Sequence, residues 1–145
     1  MKGRLLAVDW GERRIGLALS DETQVLAQPL MTLTRRAGKR FPMAQFLEQV
    51  TTHNVVGILV GLPLDETGAE GDAAHAARAL AEDIKRRVSG DLEVHMWDER
   101  MTTARVLAAV KEMGGSTRGR KADLDAMAAA LLLQHFLDAR KGTAL

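Results

Sequence analysis

The length, composition and charge of the chain limit the classes of protein to which it can belong. It has 145 residues, of which 46% are hydrophobic, so we expect one core and a single domain over residues 1–145. It contains no cysteine, which excludes disulfides, thiolate zinc sites and a cysteine nucleophile. No run of eighteen apolar residues and no signal-like segment occurs, which predicts a cytosolic protein without a membrane partner. The net charge of +1 does not by itself indicate nucleic-acid binding.

The hydrophobic pattern predicts five strands and four helices. Three early strands with short connections, at 4–9, 14–20 and 28–34, are typical of an antiparallel meander. Helices and strands then alternate, which is typical of parallel crossover connections in an α/β fold. These later elements are a helix over 41–53, a strand at 55–60, a helix near 70–88, a strand at 92–97 and helices near 102–113 and 123–139. The apolar face of the 70–88 helix is expected to contain Ala73, Ala77, Leu80, Ile84 and Val88.

The first predicted strand ends in an acidic residue. Residues 5–8 are all apolar, which indicates a strand buried on both faces, and Asp9 lies where this strand leaves the core. Gly11 permits a turn, after which residues 15–19 are expected to return as a second strand. Because aspartate often starts turns, the hairpin by itself fits a functional carboxylate and a turn former about equally. Asp21, which follows the second strand, fits either an acid that supports a metal ligand or a turn former, and we favour the turn former.

Two further acids favour the functional interpretation. The predicted strand at 92–97 leads to Glu99, and open α/β sheets bind ligands at the carboxyl ends of their strands. Helical spacing places Asp125 on the apolar stripe of the last predicted helix, whereas Asp123 lies on a more polar side and suits an N-cap. We therefore expect Asp125, and not Asp123, to point toward the same edge of the sheet as Asp9 and Glu99.

Three converging carboxylates repel one another unless a cation lies between them. No arginine or lysine obviously pairs with each of these acids, so we expect a divalent ion. Mg²⁺ and Mn²⁺ prefer oxygen ligands, and two such ions roughly 3.5–4 Å apart can clamp the attacking and leaving oxygens of a phosphodiester. Asp9, Glu99 and Asp125 therefore predict metal-dependent phosphodiester hydrolysis.

Basic residues cluster in three places along the chain. Arg118, Arg120 and Lys121 flank a Gly-rich loop just before the last helix, and we predict that they contact substrate phosphates; a solvated loop is the alternative. For the cluster within 35–40, both interpretations stay open. We interpret the run at 85–87 as a solvated helix end, where the helix dipole favours positive charge.

Four motifs together resemble a known family. They occupy residues 9–21, 60–68, 98–103 and 124–129, and the resemblance extends from about Leu5 to Leu137. On these motifs the chain resembles the YqgF family, which is RuvC-like. The resemblance implies a ribonuclease H-like α/β fold: a five-stranded mixed sheet, three antiparallel strands then two parallel ones, with helices on both faces. It also implies that Asp9, Glu99 and Asp125 take the acidic positions of the family.

The resemblance implies a function as well as a fold. The family is associated with processing of pre-16S ribosomal RNA and with Holliday junctions, so a nuclease acting on structured RNA is the leading hypothesis. A resolvase acting on branched DNA is the alternative, and it requires a stable dimer that makes two symmetric cuts. We expect a monomer or weak homodimer that uses two Mg²⁺ or Mn²⁺ ions, bridged by Asp9. A non-catalytic nucleic-acid-binding domain ranks lower, because it does not require three clustered acids.

Overall fold

Five strands and three helices make up the described part of the chain. The computed structural model describes residues 2–10, 14–35, 40–65, 67–99 and 121–143, and for 121–123, 142 and 143 it describes the backbone only. The strands are β1 (Arg4–Asp9), β2 (Arg14–Ser20), β3 (Ala27–Thr34), β4 (Val55–Leu62) and β5 (Glu93–Asp98). The helices are α1 (Met43–Thr52), α2 (Asp72–Arg87) and α3 (Lys121–Thr143). All five predicted strands are confirmed, whereas the helix predicted near 102–113 lies outside the described residues.

The strands form one mixed sheet in the order β3-β2-β1-β4-β5. β2 pairs antiparallel with both β1 and β3, whereas β4 runs parallel to β1, and β5 runs parallel to β4. The predicted topology, three antiparallel strands followed by two parallel ones, is therefore confirmed. Because β1, β4 and β5 run in the same direction, the residues that end them lie at one edge of the sheet.

Side chains alternate between the two faces of the sheet, and helices cover both faces, as predicted. On one face, Leu6 and Val8 of β1 pack into a core cluster that includes Phe46 of α1 and the buried residues of α2. On the other face, Leu5 and Ala7 pack into a second cluster with α3. All four β1 residues are at most 4% exposed, which confirms a strand buried on both faces.

The buried face of α2 differs from the predicted one in its first turn. Ala73 is exposed, so its assignment to the apolar face is wrong. Ala74 is buried instead. It lies three residues before Ala77 on the apolar face, whereas the prediction placed the preceding buried residue four positions before Ala77. Val88 lies just beyond the last helical residue and is half-buried against the same core. The buried residues of α2 are Ala74, Ala77, Leu80, Ala81 and Ile84.

α3 is the longest described helix, with 23 residues, and it is tied to the start of β3 by a glutamine. Gln134 Oε1 accepts a hydrogen bond from the Ala27 backbone N–H at 2.9 Å, and its Nε2 donates to the Val25 carbonyl at 2.9 Å. These bonds fix the helix along the sheet. Within the described ranges, no helix combines the length and the apolar character needed to cross a bilayer.

Candidate active site at the carboxyl edge of the sheet

Two carboxylates meet at the carboxyl edge of the sheet. Asp9 is the last residue of β1, and Glu99 directly follows Asp98, the last residue of β5. Strand alternation gives Asp9 the same face as Ala7 and Glu99 the same face as Trp97. Ala7 and Trp97 both pack into the core cluster beneath α3. The two acids therefore project from the face of the sheet that α3 covers.

A glycine lets the two carboxyls approach each other across the strand between them. β4 separates β1 from β5, and its register places Gly61 opposite Trp97 of β5 and one residue beyond the Val8–Val60 pair, which brings it beside Asp9 of β1. A Cβ on Gly61 would overlap Glu99 Oε1 and would lie 3.0 Å from Leu132 Cδ2 of α3. The missing side chain at Gly61 is therefore what gives Glu99 room to extend over β4 toward Asp9.

Burial and the neighbouring acids favour the protonated form of Glu99. Burial, the charge of Asp9, a hydrogen bond between the two carboxyls and the charge of Asp98 together raise the pKa of Glu99 to about 9. The protonated Glu99 carboxyl donates this hydrogen bond and Asp9 accepts it. A divalent cation would stabilise the same pair in place of the proton, since hard cations prefer carboxylate oxygens. The donor set of Asp9 and Glu99 therefore fits Mg²⁺ or Mn²⁺.

The end of β5, which delivers Glu99, is anchored to α3. The Trp97 ring packs edge-on against Phe136, with ring centroids 5.3 Å apart. Trp97 Nε1 also donates a hydrogen bond to His135 Nδ1 at 3.0 Å. These contacts hold the strand end in place, so Glu99 projects from a rigid support.

Asp125, the third predicted acid, lies near the start of α3 and faces the sheet. It is 8% exposed, and Ala129, Leu132 and Phe136 continue the same buried stripe, which confirms the predicted orientation. The prediction that Asp123 is the N-cap of this helix is wrong. α3 already includes Lys121, and an N-cap must precede the first helical residue.

The backbone of α3 rests directly on β2, beside Asp9. A Cβ on Gly16 would overlap the carbonyl group of Asp125, and Gly16 pairs with Asp9 across the β1–β2 ladder. Arg14 Nε donates a hydrogen bond to Asp125 Oδ2 at 2.7 Å. The expectation that no arginine pairs with these acids is therefore wrong for Asp125. Strand alternation places Arg14 and Gly16 on the same face of β2, but it does not tell which segment covers that face.

The three acids are thus held in two different ways. Asp9 and Glu99 contact each other, whereas Asp125 is bound by Arg14. In the part of the chain that the structure describes, no three acidic or histidine side chains form a ready-made metal site. The phosphate contacts predicted for Arg118 and Arg120 fall outside the described residues.

Lys121, the third residue predicted to contact phosphate, is described only as the first residue of α3. Its position brings the end of the basic loop within four residues of Asp125 in the chain. The assignment of Arg118, Arg120 and Lys121 to nucleic-acid binding therefore stays a prediction.

Comparisons with known proteins agree over nearly the whole chain. The model of the RuvX family, described as Holliday junction resolvase, matches residues 3–139. A protein of Koribacter versatilis named "Putative pre-16S rRNA nuclease" is 39% identical over 138 residues, covering 95% of this chain and 88% of that protein. A protein of the same name from Nocardia farcinica is 37% identical, covering 96% of this chain and 79% of that protein.

Solved structures with the same fold include two resolvases. RuvC of T. thermophilus, in complex with a Holliday junction substrate, has a TM-score of 0.51 at 19% identity and covers 97% of both chains. The yeast mitochondrial Holliday junction resolvase Ydc2 has a TM-score of 0.50 at 11% identity, covering 94% of this chain and 78% of that chain. At these identities the likeness shows the fold, and the ribonuclease H-like class is confirmed. Since the family model and the curated relatives each match almost its full length, the chain belongs to the RuvX family, which is the YqgF family of the sequence resemblance.

Proposed function

We propose that this protein is a metal-dependent nuclease that hydrolyses phosphodiester bonds in ribosomal RNA precursors, with pre-16S rRNA as its substrate. The observation that carries the proposal is the contact between Asp9 and Glu99 at the carboxyl edge of the sheet. Burying two acids against each other is unfavourable for folding, whereas the same pair is well suited to bind a divalent cation. The names of the curated relatives support the choice of RNA.

The chain's own residues would divide the work of the reaction. Asp9, Glu99 and Asp125 would hold the metal ions, with Asp9 as the central ligand. Bound Mg²⁺ or Mn²⁺ supplies an activated water and positive charge for the departing 3′ oxygen. Because Asp9 and Glu99 lie at the ends of strands packed against α3, their positions are set by the core.

Arg14 would orient Asp125 in this site. Its Nε atom is engaged with Asp125, and its side chain is 36% exposed. A guanidinium group carries five N–H donors, so one bond to Asp125 leaves capacity for a second contact. Arg14 would thus keep Asp125 turned toward the sheet and present positive charge where a substrate phosphate approaches.

Resolution of branched DNA is the second candidate function. The description of the family and the RuvC-like fold favour it. Resolution requires two symmetric cuts and therefore predicts a stable dimer. Processing of RNA has no such requirement, and it is compatible with a monomer or weak homodimer.

A side-by-side cleavage assay tests the proposal. The purified protein is incubated with a pre-16S rRNA fragment, linear duplex DNA and a four-way DNA junction, in the presence of Mg²⁺ or Mn²⁺. We expect cleavage of the RNA by the wild type, and none in excess chelator or with Asp9→Asn. Preferential, paired cleavage of the junction would instead support the resolvase, and absence of cleavage on all three substrates would contradict a nuclease.

A further inference from the structure

A groove rich in arginine opens next to the active-site edge. It has a volume of about 530 Å³ and lies between the segment that precedes α1 and the outer side of α2. We call it the arginine groove. The residues that give it its character are Trp10, Arg35, Arg40, Phe41, Arg86 and Arg87.

The arginine groove carries excess positive charge. Asp83 is the acidic residue among the described lining residues, against four arginines. Arg86 Nη2 lies 3.3 Å from Asp83 Oδ1, and Arg87 Nε lies 3.9 Å from the same oxygen. The side chains of Arg86 and Arg87 are 70% and 55% exposed, so most of their N–H donors face solvent. Arg86 and Arg87 share the single carboxylate of Asp83, so this part of the groove can bind further anionic groups.

An aromatic stack fixes one wall of the groove. Trp10 stacks on Phe41, with ring centroids 5.5 Å apart and 28° between the ring planes. The Arg35 guanidinium carbon lies 4.5 Å from the centroid of the Trp10 ring. Such a cation–π contact restricts the arginine, so Arg35 is held at the groove before any ligand arrives.

The groove adjoins the carboxylates through the end of β1. Trp10 follows Asp9 in the chain and packs against the core cluster beneath α1 and α2, whereas Asp9 projects toward α3. The acids and the arginine groove therefore lie on either side of the same strand end. A phosphodiester chain that crosses the carboxyl edge of the sheet at Asp9 comes next to the end of the groove that Trp10 lines.

We propose that the arginine groove binds the sugar–phosphate backbone of the nucleic acid that is cleaved at the acids. This inference rests on the proposed function, which supplies the strand at Asp9. Arginine contacts to phosphates position a strand without reading its bases, so the groove acts on many sequences alike. Arg86 and Arg87, interpreted from the sequence as a solvated helix end, thereby gain a role in binding.

The test removes arginines from the groove and matches the loss of charge elsewhere. Arg86→Gln/Arg87→Gln changes the α2 wall, and Arg40→Gln changes the wall before α1. The control is Lys85→Gln/Lys141→Gln, which removes the same charge from α2 and from the end of α3 at residues that do not line the groove. Fluorescence anisotropy measures binding of a labelled single-stranded RNA of mixed sequence without divalent ions, over a range of salt concentrations.

Counterion release fixes the size of the expected effect. Removing one arginine–phosphate interaction with a single strand lowers the log–log salt slope by roughly 0.7, which at 0.1 M salt weakens binding about fivefold. We therefore expect about 25-fold weaker binding for Arg86→Gln/Arg87→Gln and about fivefold weaker binding for Arg40→Gln. The control is expected to bind like the wild type.

The outcomes separate this inference from the proposed function. Binding by both groove variants with the affinity and salt slope of the control would overturn the role of the groove, even if the wild type cleaves RNA. Weakened binding together with a wild type that cleaves no substrate would support the groove and contradict the nuclease. Because Arg40→Gln changes a different wall, a folding defect in one variant leaves the other as a valid test.

Discussion

Two kinds of acidic site in this molecule differ in what surrounds the carboxylate. In the turn between β2 and β3, Asp21 accepts hydrogen bonds from Thr23 and from the backbone N–H groups of Val25 and Leu26, the latter two at 2.8 and 3.0 Å. These donors hold the pKa of Asp21 well below its usual range. At the active edge, burial and neighbouring acids raise the pKa of Glu99 instead. An acid that its own turn supplies with donors builds the turn, whereas an acid that contacts other acids is stabilised by a proton or by an external cation.

A second turn repeats the Asp21 pattern. Asp65 Oδ1 accepts a hydrogen bond from the Thr67 hydroxyl at 2.6 Å and from the backbone N–H groups of Ala69 and Thr67, both at 2.9 Å, and these contacts lower the pKa of Asp65. The interpretation of Asp21 as a turn former is confirmed by its contacts. The comparison thus separates structural acids from candidate metal ligands, and it can be tested at several residues.

The largest loss of activity is expected for a change of Asp9, the acid that contacts Glu99. Asp9→Asn keeps the shape of the side chain and removes a charge that the metal ions require. Changes to residues that only support a metal ligand cost roughly 10–100-fold, so loss of the ligand itself should lower kcat by more than about 100-fold. The matched change in the turn, Asp21→Asn, should lower Tm and leave kcat at the wild-type value. Equal activity of the two variants in the RNA cleavage assay would remove the distinction between the two kinds of site.

The next effect concerns Arg14 and the acid that it holds. Arg14→Gln removes the guanidinium charge that pairs with Asp125. We expect a loss of roughly 10–100-fold in kcat, the range for residues that orient a metal ligand. Arg14→Lys should restore part of the activity, because it returns the charge without the fixed geometry of a guanidinium group. Steady-state kinetics at saturating Mn²⁺ checks this. If Arg14→Gln cleaves like the wild type, Asp125 does not depend on its ion pair for function.

Two substitutions on α3 test whether Asp125, and not Asp123, is the functional acid of this helix. Asp125→Ala should abolish cleavage, since this side chain is buried toward the sheet. Asp123→Ala should retain it, because helical spacing places this residue on the more polar side. Cleavage assays on the two variants decide the point, and the reverse pattern would assign the metal ligand to Asp123.

A smaller effect, mainly on stability, is expected at Gly61 of β4, over which Glu99 extends toward Asp9. Gly61→Ala places a methyl group against Glu99 Oε1 and near Leu132 Cδ2. Overpacking of this kind typically costs about 1–3 kcal/mol of stability, and it should also displace Glu99 and reduce cleavage. Gly90→Ala is the control, because a Cβ there meets no atom within 4 Å. Urea denaturation of both variants gives the comparison, and a Gly61→Ala protein as stable as Gly90→Ala would contradict the described contact.

A last comparison concerns the opposite pH dependences of stability that the two kinds of acid give the metal-free protein. The pKa of Glu99 is raised from 4.5 to about 9 in the folded state, so the native protein binds more protons between these values and stability falls as pH rises. The pKa of Asp21 is lowered, so its contribution is present above its usual pKa and is lost as pH falls. Glu99→Gln should flatten the alkaline decline and Asp21→Asn the acid decline. Urea denaturation between about pH 3 and 9 measures both limbs, and a Glu99→Gln curve parallel to the wild type would refute the raised pKa of Glu99.

Much of the fold could be predicted because it depends on local patterns. The apolar run at 5–8 predicted a strand buried on both faces, and the meander and crossovers followed from connection lengths. The orientation of Asp125 followed from helical spacing, because α3 packs one apolar stripe against the sheet. Where the boundary of an element mattered, as for the supposed N-cap Asp123, the sequence pattern was too coarse.

The contacts within the site depend on the register between distant segments, so the sequence could not supply them. Arg14 and Asp125 are 111 residues apart in the chain, and their ion pair exists only because α3 rests on Gly16. Gly61 leaves space for the Glu99 side chain only because β4 lies between β1 and β5. The arginine groove likewise requires the end of α2 to lie beside the segment before α1.

The most direct test of the central claim is a measurement of Mn²⁺ binding to the wild type, Asp9→Asn and Asp21→Asn. Electron paramagnetic resonance of the free ion reports binding without requiring a substrate. If the paired acids at the sheet edge form the metal site, the wild type and Asp21→Asn should bind Mn²⁺ alike, and Asp9→Asn should lose this binding. Binding of Mn²⁺ by Asp9→Asn with the affinity and stoichiometry of the wild type would contradict the account.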